Sequence, residues 1–250
     1  ALTSVALSLA FKMRFWNIGG EGQFILGAVS AAFVAFKLGP VLPGAVTLLV
    51  MCLAAMVAAG IYGLAVAALK VKFGTNETLM TLMLNYVALY VLIYISETKA
   101  DWNFFLDAGS VRPVFASFAG IVSFPTIPMG GKFSLNLCVV LTVLIGVMVY
   151  VYLKYTKQGF EIAVVGDSAG TARYAGMKVN TIVLRTVFLS ASLIGLAAAF
   201  KVGTVGILSS SFTDDVGWTG VIVAWLSQLN TGAIFLVSAL ISMLQHGSTV

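Results

Sequence analysis

A chain of 250 residues that is 60% hydrophobic and only 9% charged, with a mean hydropathy of +1.04, cannot build a water-facing surface, for which soluble domains use about 25% charged residues. That excludes a soluble enzyme, and long apolar runs without alternation favour membrane helices over a barrel. The net charge of +5 lies mostly between those runs, so it reads as a topology signal and not as a nucleic-acid surface.

The expectation is an all-α polytopic membrane protein, one transmembrane domain over residues 1–250 built from about six or seven transmembrane or half-membrane helices. Ala1 to Phe11 is apolar but shorter than the roughly 20 residues a span needs, and reads as the end of a longer helix. After Lys12 and Arg14 comes Trp16-Asn17-Ile18-Gly19-Gly20-Glu21-Gly22-Gln23, in which glycines, a carboxylate and two amides stand at the mouth of an apolar run lasting to Phe36. Lys37, Gly39, Pro40 and Pro43 make a turn. No charge interrupts Leu38 to Leu69, where Ala59, Gly63 and Ala67 recur at the spacing that lets two membrane helices approach closely. Lys70 and Lys72 close that run, and Thr75-Asn76-Glu77 caps the next, which reaches about Ser96. Along it Glu77, Thr81 and Asn85 form one polar stripe, suited either to hydrogen bonds between helices or to lining a solute path.

Glu97 to Lys132 is polar, aromatic and proline-bearing, with Arg112-Pro113, Pro125, Pro128 and Gly130-Gly131; residues 98–132 are expected as an outer loop with a short interfacial or re-entrant piece. Phe133 to Leu153 is an uncharged span. Residues 154–181 form the expected cytoplasmic loop. The hydrophilic interval Lys154 to Arg185 carries Lys154, Lys157, Arg173, Lys178 and Arg185 against Glu161 and Asp167, an excess that belongs inside. Within it Asp167 or Ser168 is placed to cap a helix from near Ala169 that Gly176 ends. A helix of roughly two turns is unstable alone, so it reads as a docking helix for a cytoplasmic partner. Thr181 to Phe200 spans again and repeats the close-packing pattern at Ala191, Gly195 and Ala199. Lys201 to Gly217 is a turn containing Asp214-Asp215. Trp218 to Leu229 covers only about 18 Å, half a membrane, before Asn230-Thr231-Gly232 interrupts the run, so a broken helix or re-entrant pair is expected there.

Alternating sides puts Lys12, Arg14, Lys70, Lys72 and the bases of the 154–185 loop inside, and Lys37, Lys99, Arg112, Lys132 and Lys201 outside. The bias has the expected sign. No nucleophile–base pair, phosphate-binding loop or zinc spacing is present; Cys52 and Cys138 lie within apolar runs and His246 stands alone. No catalytic residue, metal or cofactor is expected, and ATP would have to be used by a partner. Glu21 and Glu77 are the only inner-side acids beside spans, which keeps an ion-coupled secondary transporter as an alternative.

The segment FWNIGGEGQFILGA resembles the Asn-Ile-Gly-x-Glu-Gly-Gln signature of permease subunits of bacterial ABC importers, in the branch for nucleosides and simple sugars related to the branched-chain amino acid permeases. ETLMTLMLNYVALY, VVGDSAGTARYAGMKV and GWTGVIVAW resemble that branch's later segments, in the family's order. Ser168-Ala169 stand where the family usually has Asn-Pro, and Ser227 and Thr231 where Gly and Pro are usual. Family chains are longer, so the resemblance implies that a fragment of a longer permease is to be expected. The resemblance implies a permease in the bacterial cytoplasmic membrane that translocates nucleosides, with ribose, other simple sugars or branched-chain amino acids as alternatives. It also implies a second permease subunit, two ATP-binding subunits and an extracytoplasmic substrate-binding lipoprotein. The residues expected to couple to the ATPase are Gly166, Asp167, Ser168, Arg173, Tyr174 and Gly176. For the solute path they are Asn17, Glu21, Gln23, Asn85, Trp218 and Trp225, amides and a carboxylate for ribose and base edges and aromatic faces for stacking, with structural packing as the competing role for each.

Overall fold

The computed structural model describes residues 1–107, 109–120, 122–128, 134–209 and 211–247. Gly130, Gly131 and Lys132 of the expected outer loop, Phe133 at the start of the expected next span, and the side chains of Ser134 and His246 lie outside the described residues. The chain forms α1 (Leu2–Lys12), α2 (Gly20–Leu38), α3 (Gly44–Phe73), α4 (Glu77–Glu97), β1 (Thr126–Pro128), β2 (Ser134–Asn136), α5 (Leu137–Tyr155), α6 (Lys157–Asp167), α7 (Ala169–Tyr174), α8 (Val179–Val205), α9 (Val216–Leu226) and α10 (Thr231–Gly247). Five of these, α2, α3, α4, α5 and α8, are long and apolar enough to cross a membrane; α1, α9 and α10 are shorter apolar helices. The protein is an all-α polytopic membrane protein.

Helices α1, α2 and α8 form the buried centre, and α5 shows most of its surface to the outside. The broadest pairing is α3 with α8, and it follows from the small residues. A methyl group built at Gly63 would come within 2.5 Å of the Ala191 side chain, and one at Gly195 would strike the Ala55 carbonyl and the Ala59 methyl. Backbones this close gain dispersion contacts that lipid cannot supply. With 30 residues, α3 runs about 45 Å, longer than the roughly 30 Å hydrocarbon core, so its Lys70–Lys72 end projects beyond it.

Three stretches differ from the sequence expectation. The 154–181 interval is not a loop around one short helix: Thr156 ends α5 and caps α6, its hydroxyl accepting from Gly159 N at 3.1 Å, and α6 precedes α7. The outer loop leads into an antiparallel hairpin of β1 with β2, and among its described residues no helix forms the expected short interfacial or re-entrant piece. Earlier in the loop Phe104, Phe105 and Phe118 pack on Phe36 at the end of α2, Phe115 belongs to the same apolar cluster, and Ser117 bridges to Ile207. Finally α8 continues to Val205, so Lys201 is a helical residue that pairs with Asp214 at 2.7 Å. The expected break is present but lies earlier than Asn230-Thr231-Gly232: α9 ends at Leu226, Ser227–Asn230 separates it from α10, with Gln228 and Leu229 both at positive φ, and Thr231 and Gly232 already belong to α10.

Candidate functional site

Two places bring the singled-out residues together, and the short segment Met13–Gly19 joins them. The first is the junction of α1, α2, α4 and α9. α1 ends when Arg14 takes a left-handed conformation and Phe15 N returns to the Ala10 carbonyl at 3.1 Å. The chain then has no regular structure until Gly20, and its polar backbone groups need partners. The polar stripe of α4 supplies them: Thr81 Oγ1 accepts from Ile18 N at 3.2 Å, and Asn85 Nδ2 donates to the Ile18 carbonyl at 2.9 Å. Asn85 Oδ1 also accepts from Gly22 N at 2.8 Å, tying the first turn of α2 to α4. Asn17 and Gln23, both buried, exchange amide hydrogen bonds at 3.1 Å, and Asn17 Oδ1 also accepts from Gly19 N. Glu77, the third member of the stripe, pairs instead with Lys70 at the end of α3.

Glu21 turns the other way. Its Oε2 accepts from Gly217 N at 2.7 Å, in the first turn of α9. The N-cap of α9, Asp215, makes no side-chain capping bond and has a left-handed backbone. Glu21 therefore caps α9 from another helix, a carboxylate at the positive end of the helix dipole. Trp225, at the far end of α9, stacks on Trp16 with ring centroids 5.0 Å apart, and Phe11 meets both rings at 5.9 Å. Trp218 lies on the same exposed face of α9 as Trp225 but outside that cluster. Of the six path residues, then, Asn17, Gln23, Asn85 and Glu21 use their polar groups to fix the α1–α2 junction and α9, while Trp218 and Trp225 keep exposed ring surface.

The second place is the α6–α7 pair. Ser168, not Asp167, is the N-cap of α7, its Oγ accepting from Thr171 N at 3.2 Å. Gly176, with φ +76°, closes α7: Met177 N bonds to the Ala172 carbonyl at 3.0 Å and Gly176 N to the Arg173 carbonyl, the paired bonds of a Schellman end. Only Ala172 of α7 is buried. Tyr174 is 96% exposed and makes no packing contact that would hold it within the chain. Gly166 sits against α1 so tightly that a methyl group there would strike the Lys12 carbonyl. Met13 and Phe15 share one apolar cluster with Ile162, Val165, Ala172 and Val179. Arg185 anchors α6 to α8 by bonding Glu161 at 3.0 Å. A cleft of about 380 Å³ runs between these parts, lined by Arg14, Lys70, Gly166, Asp167, Ser168 and Arg173 among others. Three of the bases placed inside by alternation, Arg14, Lys70 and Arg173, thus line one cleft, while Lys37 lies over Phe104 of the outer loop and Lys201 pairs with Asp214.

Sequence reasoning did not find the inner support of this arrangement. Phe15, Ile162 and Ala172 carry the contact between α7 and the junction, and only the apolar period of 162–172 within a charged interval marks them. Nor did it single out Tyr86, Tyr90 and Tyr94, exposed on α4 at four-residue spacing.

Residues 1–250 match the family described as the permease component of the branched-chain amino acid transport system. The chain is 28% identical over 251 aligned residues to the guanosine ABC transporter permease NupP of Bacillus subtilis, covering 99% of this chain and 70% of that protein. It is 29% identical to the glucose ABC transporter permease TsgB13 of Haloferax volcanii, covering 99% of this chain and 66% of that protein. To the nucleoside ABC transporter permease NupB of Lactococcus lactis it is 26% identical, over 99% of this chain and 68% of that protein. It thus spans about two thirds of the length of these relatives. No solved structure matches it.

Proposed function

Because this chain belongs to the family of permease components of the branched-chain amino acid transport system, we propose that it is the membrane subunit through which an ATP-driven importer passes nucleosides. It is a multi-pass protein of the cell membrane, here the bacterial cytoplasmic membrane. ATP is hydrolysed by two partner subunits, one docked on α7 and the other on the second permease that completes the pathway, and an extracytoplasmic lipoprotein delivers the solute. Two of the relatives described above are permeases for guanosine or nucleosides and one is a glucose permease, which is why a neutral nucleoside is favoured and a sugar stands second.

The observation that carries this reading is the contact of Gly166 and Ala172 with the end of α1. A short, capped helix with one buried residue and a fully exposed tyrosine offers itself to a partner. It is rooted on α6 and α8, and through Gly166 of α6 it reaches the turn Lys12–Phe15, which runs directly into Asn17 and the first turn of α2. Displacement of α7 is therefore passed by rigid contact to the Asn17–Gln23 pair, to Asn85 on α4 and, through Glu21, to α9. Gly166, Asp167, Ser168, Arg173, Tyr174 and Gly176 form the coupling end. Trp218 and Trp225 present rings towards the path, while Asn17, Glu21, Gln23 and Asn85 set the helix positions around it.

The test is uptake of labelled guanosine, adenosine, uridine, ribose, glucose and leucine by cells carrying the complete transporter. The expected result is nucleoside uptake. Uptake of sugars or leucine alone would overturn the solute class and leave the permease role standing.

A further inference from the structure

The face of α4 turned away from the rest of the chain carries Leu79, Met83, Tyr86, Tyr90 and Tyr94. The tyrosines are 53%, 67% and 58% exposed, and they repeat every four residues, so their rings stand in one row. Among the described residues, the Tyr86 and Tyr90 hydroxyls make no hydrogen bond. α4 has 21 residues and a glutamate at each end, which makes it about 31 Å long and matches the roughly 30 Å hydrocarbon core. Tyr86 lies near the centre of that length, about 13 Å from Glu77 and about 16 Å from Glu97. Membrane tyrosines collect at the water interfaces, where the hydroxyl is wet; from Tyr86 the hydroxyl cannot reach either one. In lipid it would be an unpaired polar group in hydrocarbon. A packed helix interface does not suit the row either. The close helix pair of this protein is built on Ala59, Gly63, Ala191 and Gly195, whereas every residue named on this face is large. The row also continues outward: Trp102 of the outer loop stacks on Tyr94 at 5.9 Å and 17°.

We propose that Tyr86, Tyr90 and Tyr94 are solute-facing residues of the import path, an aromatic rail for a neutral solute with a planar ring, continued outside by Trp102. The proposal rests on the nucleoside-import reading above. Ring faces stack on a base, and phenol hydroxyls donate to or accept from its polar edges. No residue between Glu77 and Glu97 is charged, so the rail neither holds nor repels a neutral solute by charge.

The test places single cysteines at Tyr86→Cys and Tyr90→Cys in the complete transporter, with Cys52→Ser and Cys138→Ser as background and Leu240→Cys on the outside of α10 as a lipid-facing control. A charged thiol reagent that does not enter lipid is applied to opened membranes. Both α4 cysteines should be labelled at least ten-fold faster than the control, and guanosine should slow the labelling while leucine does not. Labelling as slow as the control would put the face in lipid and overturn the proposal. Spontaneous disulfides between two copies, with no labelling, would make it a permease–permease interface and also overturn it. Labelling slowed by ribose and not by guanosine would keep these residues on the path but overturn the planar-ring specificity; it would leave the permease role of the chain intact. A parallel measurement with Tyr90→Phe and Tyr90→Ala should raise the KM for guanosine uptake about three-fold and at least ten-fold, respectively, with ribose uptake unchanged.

Discussion

Glu21 is the residue whose role the structure defines most sharply. Its carboxylate lies within the membrane body with 8% of the residue exposed, and its bond is to Gly217 N, with Thr213 beside it. A hydrogen bond between a buried N–H and a charged acceptor contributes about 1.5–3 kcal/mol, and the field of a helix N-terminus adds about 0.3–1 kcal/mol. Glu21→Ala leaves Gly217 N unpaired in a dry site and removes buried contact, so the cost is about 2–4 kcal/mol. Glu21→Gln keeps an acceptor oxygen and loses only the charge, for about 1 kcal/mol. For a chain of this size each kcal/mol shifts Tm by about 2–4 °C, which gives a fall of roughly 4–16 °C for the alanine variant and roughly 2–4 °C for the glutamine variant. Heating the detergent-purified permease while following tryptophan fluorescence reads this directly, because Trp218 adjoins Gly217 and Trp225 ends the same helix. Both Tm values equal to wild type, together with a raised KM for guanosine in the assembled transporter, would refute the reasoning: the carboxylate would then bind solute and not α9.

Gly166→Ala, which drives a methyl group into the Lys12 carbonyl, should abolish uptake, whereas Gly170→Ala, where the nearest atom is Ser168 Oγ at 3.6 Å, should not; radiolabelled guanosine uptake normalised to membrane level separates them. Asn85→Ala removes the bonds to Ile18 and Gly22 and should cost about 2–3 kcal/mol, read as a lower Tm with the spectrum of a folded helical protein. Gly195→Val should overpack the α3–α8 seam by at least about 3 kcal/mol and deplete the protein from membranes, as an immunoblot would show. Gly176→Ala strains a left-handed position by about 1 kcal/mol and should reduce coupling without unfolding the permease, seen as fewer nucleosides imported per ATP.

Membrane class, span positions and the broken segment after Trp218 were legible because they depend on composition and run length, which hydrocarbon selects strongly. The close-packing residues Ala59, Gly63 and Gly195 were legible for the same reason: small residues at four-residue spacing have one dominant use in lipid. The α7 caps were also readable, since Ser168 and Gly176 act within a few residues of themselves. What escaped was non-local. The target of Glu21 lies 196 positions away in sequence, so the carboxylate read as a solute-path or packing residue, and the sequence holds no sign of the α9 amide it meets. α6 was hidden because its interval is hydrophilic and charged, and its helicity depends on apolar Ile162 and Val165 meeting Phe15 and Met13 of a distant segment. The outer hairpin rests on a pairing of Ile127 with Leu135, too short to leave a period in the sequence.

The central claim is that α7 receives the stroke of an ATP-hydrolysing partner and passes it through Lys12–Phe15 to the path. The most direct test is ATP-dependent guanosine uptake into proteoliposomes holding the complete transporter, with wild type and Tyr174→Ala compared. Tyr174 is 96% exposed, so its loss leaves the permease folded and touches only what docks there. The account predicts uptake that requires ATP in the wild type and falls at least ten-fold in the variant, with Tm unchanged. Uptake that proceeds without ATP, or that ignores the substitution, would contradict it.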